Sequence, residues 1–286
     1  MKVRKVVITA AGWGTRFLPI TKSQPKEMLP LVNKPLIQYS VEEAINSGIE
    51  QIIMITAMGK QAIEDYFDRS FELEYFLEQK GETKRLQEVR KLSDLVDICY
   101  IRQKEQLGLG HAILTAKGVI GEEPFAVLLP DDIVESKVPV LKQMVEVYEE
   151  YKTSVVAVEH ISRQDIIKYG IIEPKRVSER VHQVLSLVEK PEPAKAPSDL
   201  GVVGRYILMP QIFDALEGIP SGKNKEIQLT DALQLLLSQQ ALYAYEFEGV
   251  RYDTGTPLGW LEATVALALK HPEIGQELKE YLRGLL

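Results

Sequence analysis

Cysteine is nearly absent from this chain: Cys99 is the only one among 286 residues. An internal disulfide is thereby excluded, as is a zinc site built on cysteines, and a reducing compartment fits. Long apolar runs are lacking too. No stretch approaches the ~20 consecutive apolar residues that a membrane span needs. The basic start Met1-Lys2-Val3-Arg4-Lys5 is followed by Val6-Val7-Ile8, which dissolves into Ala10-Ala11-Gly12 and is too short for a signal core. A soluble, cytoplasmic protein is expected. Positive charge is not in surplus either: 34 Lys and Arg stand against 41 Asp and Glu, a net charge of −7. Nucleic-acid binding needs a broad basic face, so that class is set aside. A few placed cations can still hold a phosphate. With 45% hydrophobic and 26% charged residues, the chain has the composition of one large globular domain.

Strand-like and helix-like patterns alternate through the first half. Short β-branched or apolar runs at Val3–Thr9, Ile52–Ile55, Asp97–Ile101, Phe125–Leu129 and Ser154–Val158 read as strands. Leu36–Ser47, Gln61–Phe67, Ala112–Gly118 and Val138–Tyr151 carry helical periodicity. Continuous apolar strands separated by helices predict an α/β fold with a parallel sheet covered on both faces. Residues 69–93 are charged and helix-prone and read as an insertion. Beyond residue 160, Tyr169–Glu173, His182–Val188, Val202–Leu208 and Leu242–Phe247 read as strands. Ile227–Gln239 reads as a helix, Pro191–Pro197 with its three prolines as a loop, and 257–286 as one or two helices.

The strongest local signal is Ala10-Ala11-Gly12-Trp13-Gly14-Thr15-Arg16-Phe17-Leu18-Pro19, directly after the first strand. Ligands of open α/β sheets bind beyond the carboxyl ends of strands. Two glycines let backbone N–H groups approach an anion, and Arg16 adds a forked cation suited to phosphate. A dinucleotide fingerprint would need a third Gly where Phe17 stands, and no Gly-Lys-Ser/Thr follows for a Walker loop. A plain strand–helix turn is the alternative for so short a motif. Residues 21–35, however, form a long polar stretch punctuated by prolines, which is uncommon without a function. It carries Lys22, Lys26 and Lys34. Lys26, between Pro25 and Glu27 in a stiff segment, is the candidate phosphate contact.

Gly-x-Gly-Thr-Arg-x-Leu-Pro, then Pro-Lys-Glu-Met-Leu-Pro, then Lys-Pro resembles the signature of sugar-nucleotide pyrophosphorylases, in particular their bacterial uridylyl branch. Further matches run in order as far as Gly259. The resemblance implies a Rossmann-like, mixed, mostly parallel central sheet of nucleotidyltransferase type, with a small sugar-binding β region and C-terminal helices. Residues 1–256 would form the catalytic domain, the nucleotide half at about 1–160 and the sugar half at about 161–256. Residues 257–286 would form a helical segment that makes an oligomer contact in a homodimer or homotetramer. The implied reaction is UTP plus glucose 1-phosphate giving UDP-glucose and pyrophosphate, with Mg2+ as the cofactor.

The residues divide accordingly. Ala10, Ala11, Gly12, Gly14 and Thr15 form the nucleotide cradle. In Gln103-Lys104-Glu105-Gln106-Leu107-Gly108, an amide can serve both the donor and the acceptor edge of a pyrimidine. The resemblance assigns Gln103 and the Gly108 backbone to uracil, and Glu27 either accepts from the base or orders the loop. His111 is read as packed beneath the base. Asp131-Asp132 ends a strand, where paired carboxylates suit a hard cation. Alternation leaves one of them facing the pocket, and the resemblance picks Asp131, with Asp132 as a helix cap or support. Asp253-Thr254-Gly255-Thr256-Pro257 is either turn and N-cap chemistry or, by resemblance, the site of a second metal ligand at Asp253. Glu189-Lys190 is a surface pair, or divides one substrate between sugar hydroxyls and sugar phosphate. Gly170 and Gly204 offer backbone to a hexose, and Glu226 and Asp231 stand near the sugar side.

Because the sugar phosphate is ionised at neutral pH, the implied mechanism needs no protein nucleophile. Arg16 would clamp the β- and γ-phosphates, Lys26 the α-phosphate region and Lys190 the sugar phosphate, and these three are the catalytic candidates. The rival readings are the same chemistry on dTTP or CTP, a nicotinamide-dependent dehydrogenase, and a non-catalytic sensor.

Overall fold

The computed structural model describes residues 1–220 and 226–285. The chain opens with β1 (Lys5–Thr9), whose Val6, Val7 and Ile8 are fully buried. Short 3-10 turns lead to a ribbon of β2 (Pro30–Leu31) and β3 (Lys34–Pro35), and then to α1 (Leu36–Asn46). β4 (Gln51–Thr56), α2 (Gln61–Phe67), the hairpin α3 (Phe71–Gln79) and α4 (Thr83–Ser93), and β5 (Asp97–Arg102) follow. Next come α5 (Leu109–Leu114), α6 (Lys117–Ile120), β6 (Phe125–Leu128), β7 (Asp132–Glu135), α7 (Val140–Tyr151) and β8 (Val155–His160). The later elements are β9 (Gly170–Arg176), β10 (Val181–Glu189), β11 (Leu200–Leu208), α8 (Ile212–Gly218) and α9 (Leu229–Leu236). The described chain closes with β12 (Tyr243–Glu246), β13 (Val250–Asp253), α10 (Pro257–Ala268) and α11 (Gly275–Leu285).

Among the described residues, nine strands make one sheet in the order β5-β4-β1-β6-β11-β8-β12-β10-β9. The first four are parallel, with Val6 of β1 opposite Ile52 of β4 and Ala126 of β6. Side chains alternate across the sheet. Val7, Ile53, Ile55 and Val127 pack with α5, α8 and α9, while Val6, Ile52, Met54 and Leu128 pack with α1 and α7. Each such buried Val, Ile or Leu contributes ~1.5–3 kcal/mol relative to exposure. β11, buried along its whole length, runs antiparallel to both β6 and β8. β12 pairs parallel with β8, and β10 is antiparallel to β12 and β9. The expectation of a mostly parallel sheet is thus corrected: only its first half is uniformly parallel. A continuous apolar run reports burial on two faces, which a central strand has in either direction.

Three local readings change as well. Ala112–Gly118 is split between α5 and α6, and the helix expected over Ile227–Gln239 is confined to α9. Asp132 is no helix cap. It begins β7, which pairs antiparallel with β13 in the register Asp132↔Asp253. Thr256 does cap α10, its hydroxyl accepting from Gly259 N at 3.2 Å with Pro257 in the first turn. α10 seats Ala263 beside Phe17, Leu31 and Ile133, so it is packed onto the segment that follows the Gly-rich loop. Among the described residues, no helix is long and apolar enough to cross a membrane.

Candidate active site

Loops following β1, β5 and β6 build two adjoining cavities. The smaller, about 420 Å³, is lined by residues of the Gly-rich loop, Lys26, Glu27, Gln103 and Gly108. The larger, about 720 Å³, is lined among others by Arg16, Tyr169, Gly170, Glu189, Lys190 and Asp253. Both share Gly108, Asp131 and Glu226 as walls.

Asp131 stands at the junction. It follows β6, and its backbone carbonyl accepts from Thr254 N at 2.8 Å and Thr254 Oγ1 at 2.7 Å. Lys26 Nζ donates to Asp131 Oδ2 at 2.6 Å. Burial alone would pull the Lys26 ammonium down, but the Asp131 and Glu27 carboxylates outweigh it and hold it above its ordinary value. Burial likewise works against the Asp131 carboxylate, and the Lys26 ammonium keeps it below the usual range. A Cβ placed on Gly255 would lie 3.0 Å from Asp253 Oδ1, 3.1 Å from Asp131 Oδ2 and 3.3 Å from Arg16 Nη1. Both carboxylates and the guanidinium therefore border Gly255, whose N–H donates to Asp253 Oδ1 at 3.0 Å. Arg16 Nη1 also donates to Gly255 O at 3.2 Å.

The two faces of the junction differ in chemistry. On the smaller cavity, Gln103 is buried, and its Nε2 donates to Gly108 O at 3.2 Å and meets His111 Nδ1 at 2.9 Å. That leaves its carbonyl oxygen for a ligand and makes His111 a support for Gln103. On the larger cavity, Glu189 Oε1 pairs with Lys190 Nζ at 2.8 Å, and its Oε2 accepts from Thr230 Oγ1 at 2.7 Å. Lys190 takes a left-handed φ of 46°, which costs a non-glycine residue ~1 kcal/mol or more. Its N–H donates to Tyr169 O at 3.0 Å. Gly170 makes room for the Glu189–Thr230 pair, since a Cβ there would sit 3.0 Å from Thr230 Oγ1.

Two expected contributors are placed differently. Ala10 is fully buried and spends its N–H on Ile55 O at 2.8 Å, so it stands behind the cradle. Gly204 lines the larger cavity, but its N–H donates to Asp132 Oδ2 at 3.1 Å and its carbonyl accepts from Leu129 N at 2.8 Å. Its N–H is therefore spent within the protein, and only the second lone pair of its carbonyl remains for a hexose. A glycine stands there because a Cβ would overlap the Asp132 carboxylate.

Other residues of the site have no sequence signal. Lys60, 6% exposed, donates to Glu27 Oε2 at 2.7 Å. Burial pushes the Glu27 carboxyl up against the opposing pull of Lys60 and Lys26. Arg251 joins Asp132, Glu159 and the Tyr169 hydroxyl, and Tyr169 OH lies 3.5 Å from Asp253 Oδ2. Burial opposes the Arg251 charge, but Asp132 and Glu159 raise its pKa further above the usual range. Arg205, buried one residue after Gly204, pairs with Glu43 at 2.6 Å. The Arg251–Glu159 pair ties the β7–β13 ribbon to β8 of the main sheet, the Arg205–Glu43 pair ties β11 to α1, and no motif spacing announces either.

With this geometry in hand, the likeness to known proteins is specific. The nucleotidyl transferase family model matches residues 5–269. The UTP–glucose-1-phosphate uridylyltransferase of Staphylococcus epidermidis is 53% identical, with 99% of each chain covered. The UTP–glucose-1-phosphate uridylyltransferase YngB of Bacillus subtilis is 52% identical, covering 100% of this chain and 96% of that protein. The structure of a UTP-bound UGPase from Acinetobacter baumannii superposes with a TM-score of 0.93 at 42% identity, over 99% of this chain and 100% of that one. The chain belongs to the nucleotidyl transferase family, on the branch of the UTP–glucose-1-phosphate uridylyltransferases.

Proposed function

We propose that this protein transfers uridylyl from UTP to glucose 1-phosphate, giving UDP-glucose and pyrophosphate. The observation that carries the reading is the junction, where Asp131 lines both cavities with Lys26 and Arg16 beside it. Two polyanions that repel each other meet there next to two cations. The names of the relatives that share half of its residues support UTP and glucose 1-phosphate as the pair. An ionised phosphate oxygen of the sugar attacks the α-phosphorus of UTP. The new P–O bond forms as the bond to the β-phosphate oxygen breaks, and pyrophosphate leaves. No protein group has to take a proton, so the work is alignment and charge neutralisation.

The roles combine position with the family resemblance. Amides of Ala11, Gly12, Gly14 and Thr15 cradle the nucleotide. The carbonyl oxygen of Gln103 and the Gly108 backbone read uracil, and Glu27 supports this wall. Arg16 holds the β- and γ-phosphates, Lys26 the α-phosphate and Lys190 the sugar phosphate, while Glu189 accepts from sugar hydroxyls. A divalent cation suits the junction, because the carboxylates of Asp131 and Asp253 stand close together on either side of Gly255. Among the described residues no group of three or more acidic, His or Cys ligands forms a closed site. Mg2+ commonly takes one or two carboxylates and completes its shell with water and substrate phosphate. Asp131 and Asp253 would hold it, and when bound it neutralises phosphate charge. Leu258 and Leu261 of α10 and Tyr281 of α11 are exposed, which supports a homodimer or homotetramer formed through the C-terminal segment.

Pyrophosphate release over a grid of nucleoside triphosphates and sugar 1-phosphates tests the assignment, with UTP and glucose 1-phosphate expected to dominate. Within that grid, Lys190→Ala raises KM for glucose 1-phosphate at least about tenfold and leaves UTP affinity unchanged within about threefold. Collapse of UTP binding instead would remove Lys190 from the sugar side. Gln103→Ala narrows the preference for UTP over CTP by about tenfold, since uracil presents N3–H where cytosine presents an acceptor. An unaltered UTP/CTP ratio would take Gln103 off the base.

A further inference from the structure

Trp13 stands between Gly12 and Gly14 in the wall of the smaller cavity, with 69% of its surface exposed. Among the described residues its indole N–H has no hydrogen-bond partner, whereas the other tryptophan, Trp260, donates to Pro30 O at 3.2 Å. A tryptophan carries the largest apolar surface of any side chain, and leaving it in water forgoes its burial energy. The neighbouring space is open, because a Cβ on Gly12 would meet nothing within 4 Å. The lining of this cavity also includes Leu109 and Ala112 and is partly apolar. Trp13 is also the only aromatic among the residues lining this cavity. Of the parts of a nucleoside triphosphate, only the base has a π-face for an indole to cover.

We propose that the Trp13 indole stacks on the nucleobase of the bound nucleotide and closes the mouth of the smaller cavity over it. The proposal rests on the assignment of that cavity to the nucleotide. Base–aromatic stacking supplies affinity without reading the hydrogen-bonding edge, so Trp13 would tighten binding while Gln103 discriminates.

The two tryptophans make the test direct. In a Trp260→Phe variant Trp13 is the only tryptophan, and with excitation at the red edge, where tyrosine does not absorb, UTP is expected to quench or shift its emission. By calorimetry, Trp13→Ala binds UTP and UMP about tenfold more weakly than the wild-type protein, while Trp13→Phe, which keeps an aromatic face, stays within about threefold. Pyrophosphate, which has no base, binds Trp13→Ala and the wild type alike. UTP affinity within about twofold of wild type in Trp13→Ala would overturn the proposal, as would equal weakening of pyrophosphate and UTP. Failure of the wild-type protein to bind UTP at all would overturn the cavity assignment, and the proposal with it.

Discussion

Asp131→Asn lowers kcat/KM for pyrophosphate release by roughly a hundredfold to a thousandfold, ~3–4 kcal/mol in transition-state energy, with the fold intact. The side chain keeps its shape, and the bonds that anchor the segment run from Thr254 to the Asp131 backbone carbonyl, which the substitution leaves in place. What is lost is charge. Lys26 Nζ, 2.6 Å away, no longer faces a carboxylate and is free to swing, and one of the two carboxylates that converge beside Gly255 is gone. Groups that act together on two phosphates lose more than a surface ion pair would, because the pair is largely shielded from water. Steady-state rates over a Mg2+ titration, with circular dichroism to confirm folding, provide the check. Activity within tenfold of wild type at saturating Mg2+ would contradict the role given to this carboxylate.

Gly204→Ala is expected to lower stability strongly. The added Cβ overlaps the Asp132 carboxylate and sits 2.8 Å from Leu129 Cβ. Asp132 is then driven away from Arg251, and a buried ion pair is broken that leaves Arg251 with Glu159 alone of its two acids. Such disruption costs ~3 kcal/mol or more, and the strain falls on the strand pair that carries Asp131 and Asp253. Urea unfolding measures it: the midpoint should fall sharply for Gly204→Ala. Gly12→Ala is the control, because a Cβ at that position meets nothing within 4 Å and stability should stay within ~0.5 kcal/mol. Equal midpoints for the two variants would show that Asp132 can leave Arg251 without consequence.

How much of this was readable beforehand depended on range. Buried strands such as Val6-Val7-Ile8 and Ile52-Ile53-Met54-Ile55 announce themselves, because a two-sided apolar environment writes a continuous apolar run. The Gly-rich loop, Lys26 and Asp131 were legible because loops after strands of an α/β sheet meet at one edge, whatever the strand order. The uridylyl resemblance rested on local motifs and was upheld by relatives matched over nearly the whole chain. Strand direction in the second half of the sheet was not legible, since apolar composition carries no sign. The backbone uses of Ala10 and Gly204 were also out of reach: both were expected to face ligand, and both are bonded within the protein.

Sequence alone determined the fold class, the place of the Gly-rich loop and the chemical kind of each cation and carboxylate, because these follow from side-chain type and short-range periodicity. Tertiary structure alone decided which partners those groups meet. Lys60 reaches Glu27 from the start of α2, Arg251 links Asp132, Glu159 and Tyr169, and β7 finds β13 more than a hundred residues further on. Such contacts are set by strand register and by the packing of distant segments. A charge pattern along the chain cannot encode them, since any of several acids can satisfy a buried base until the backbone brings one of them near.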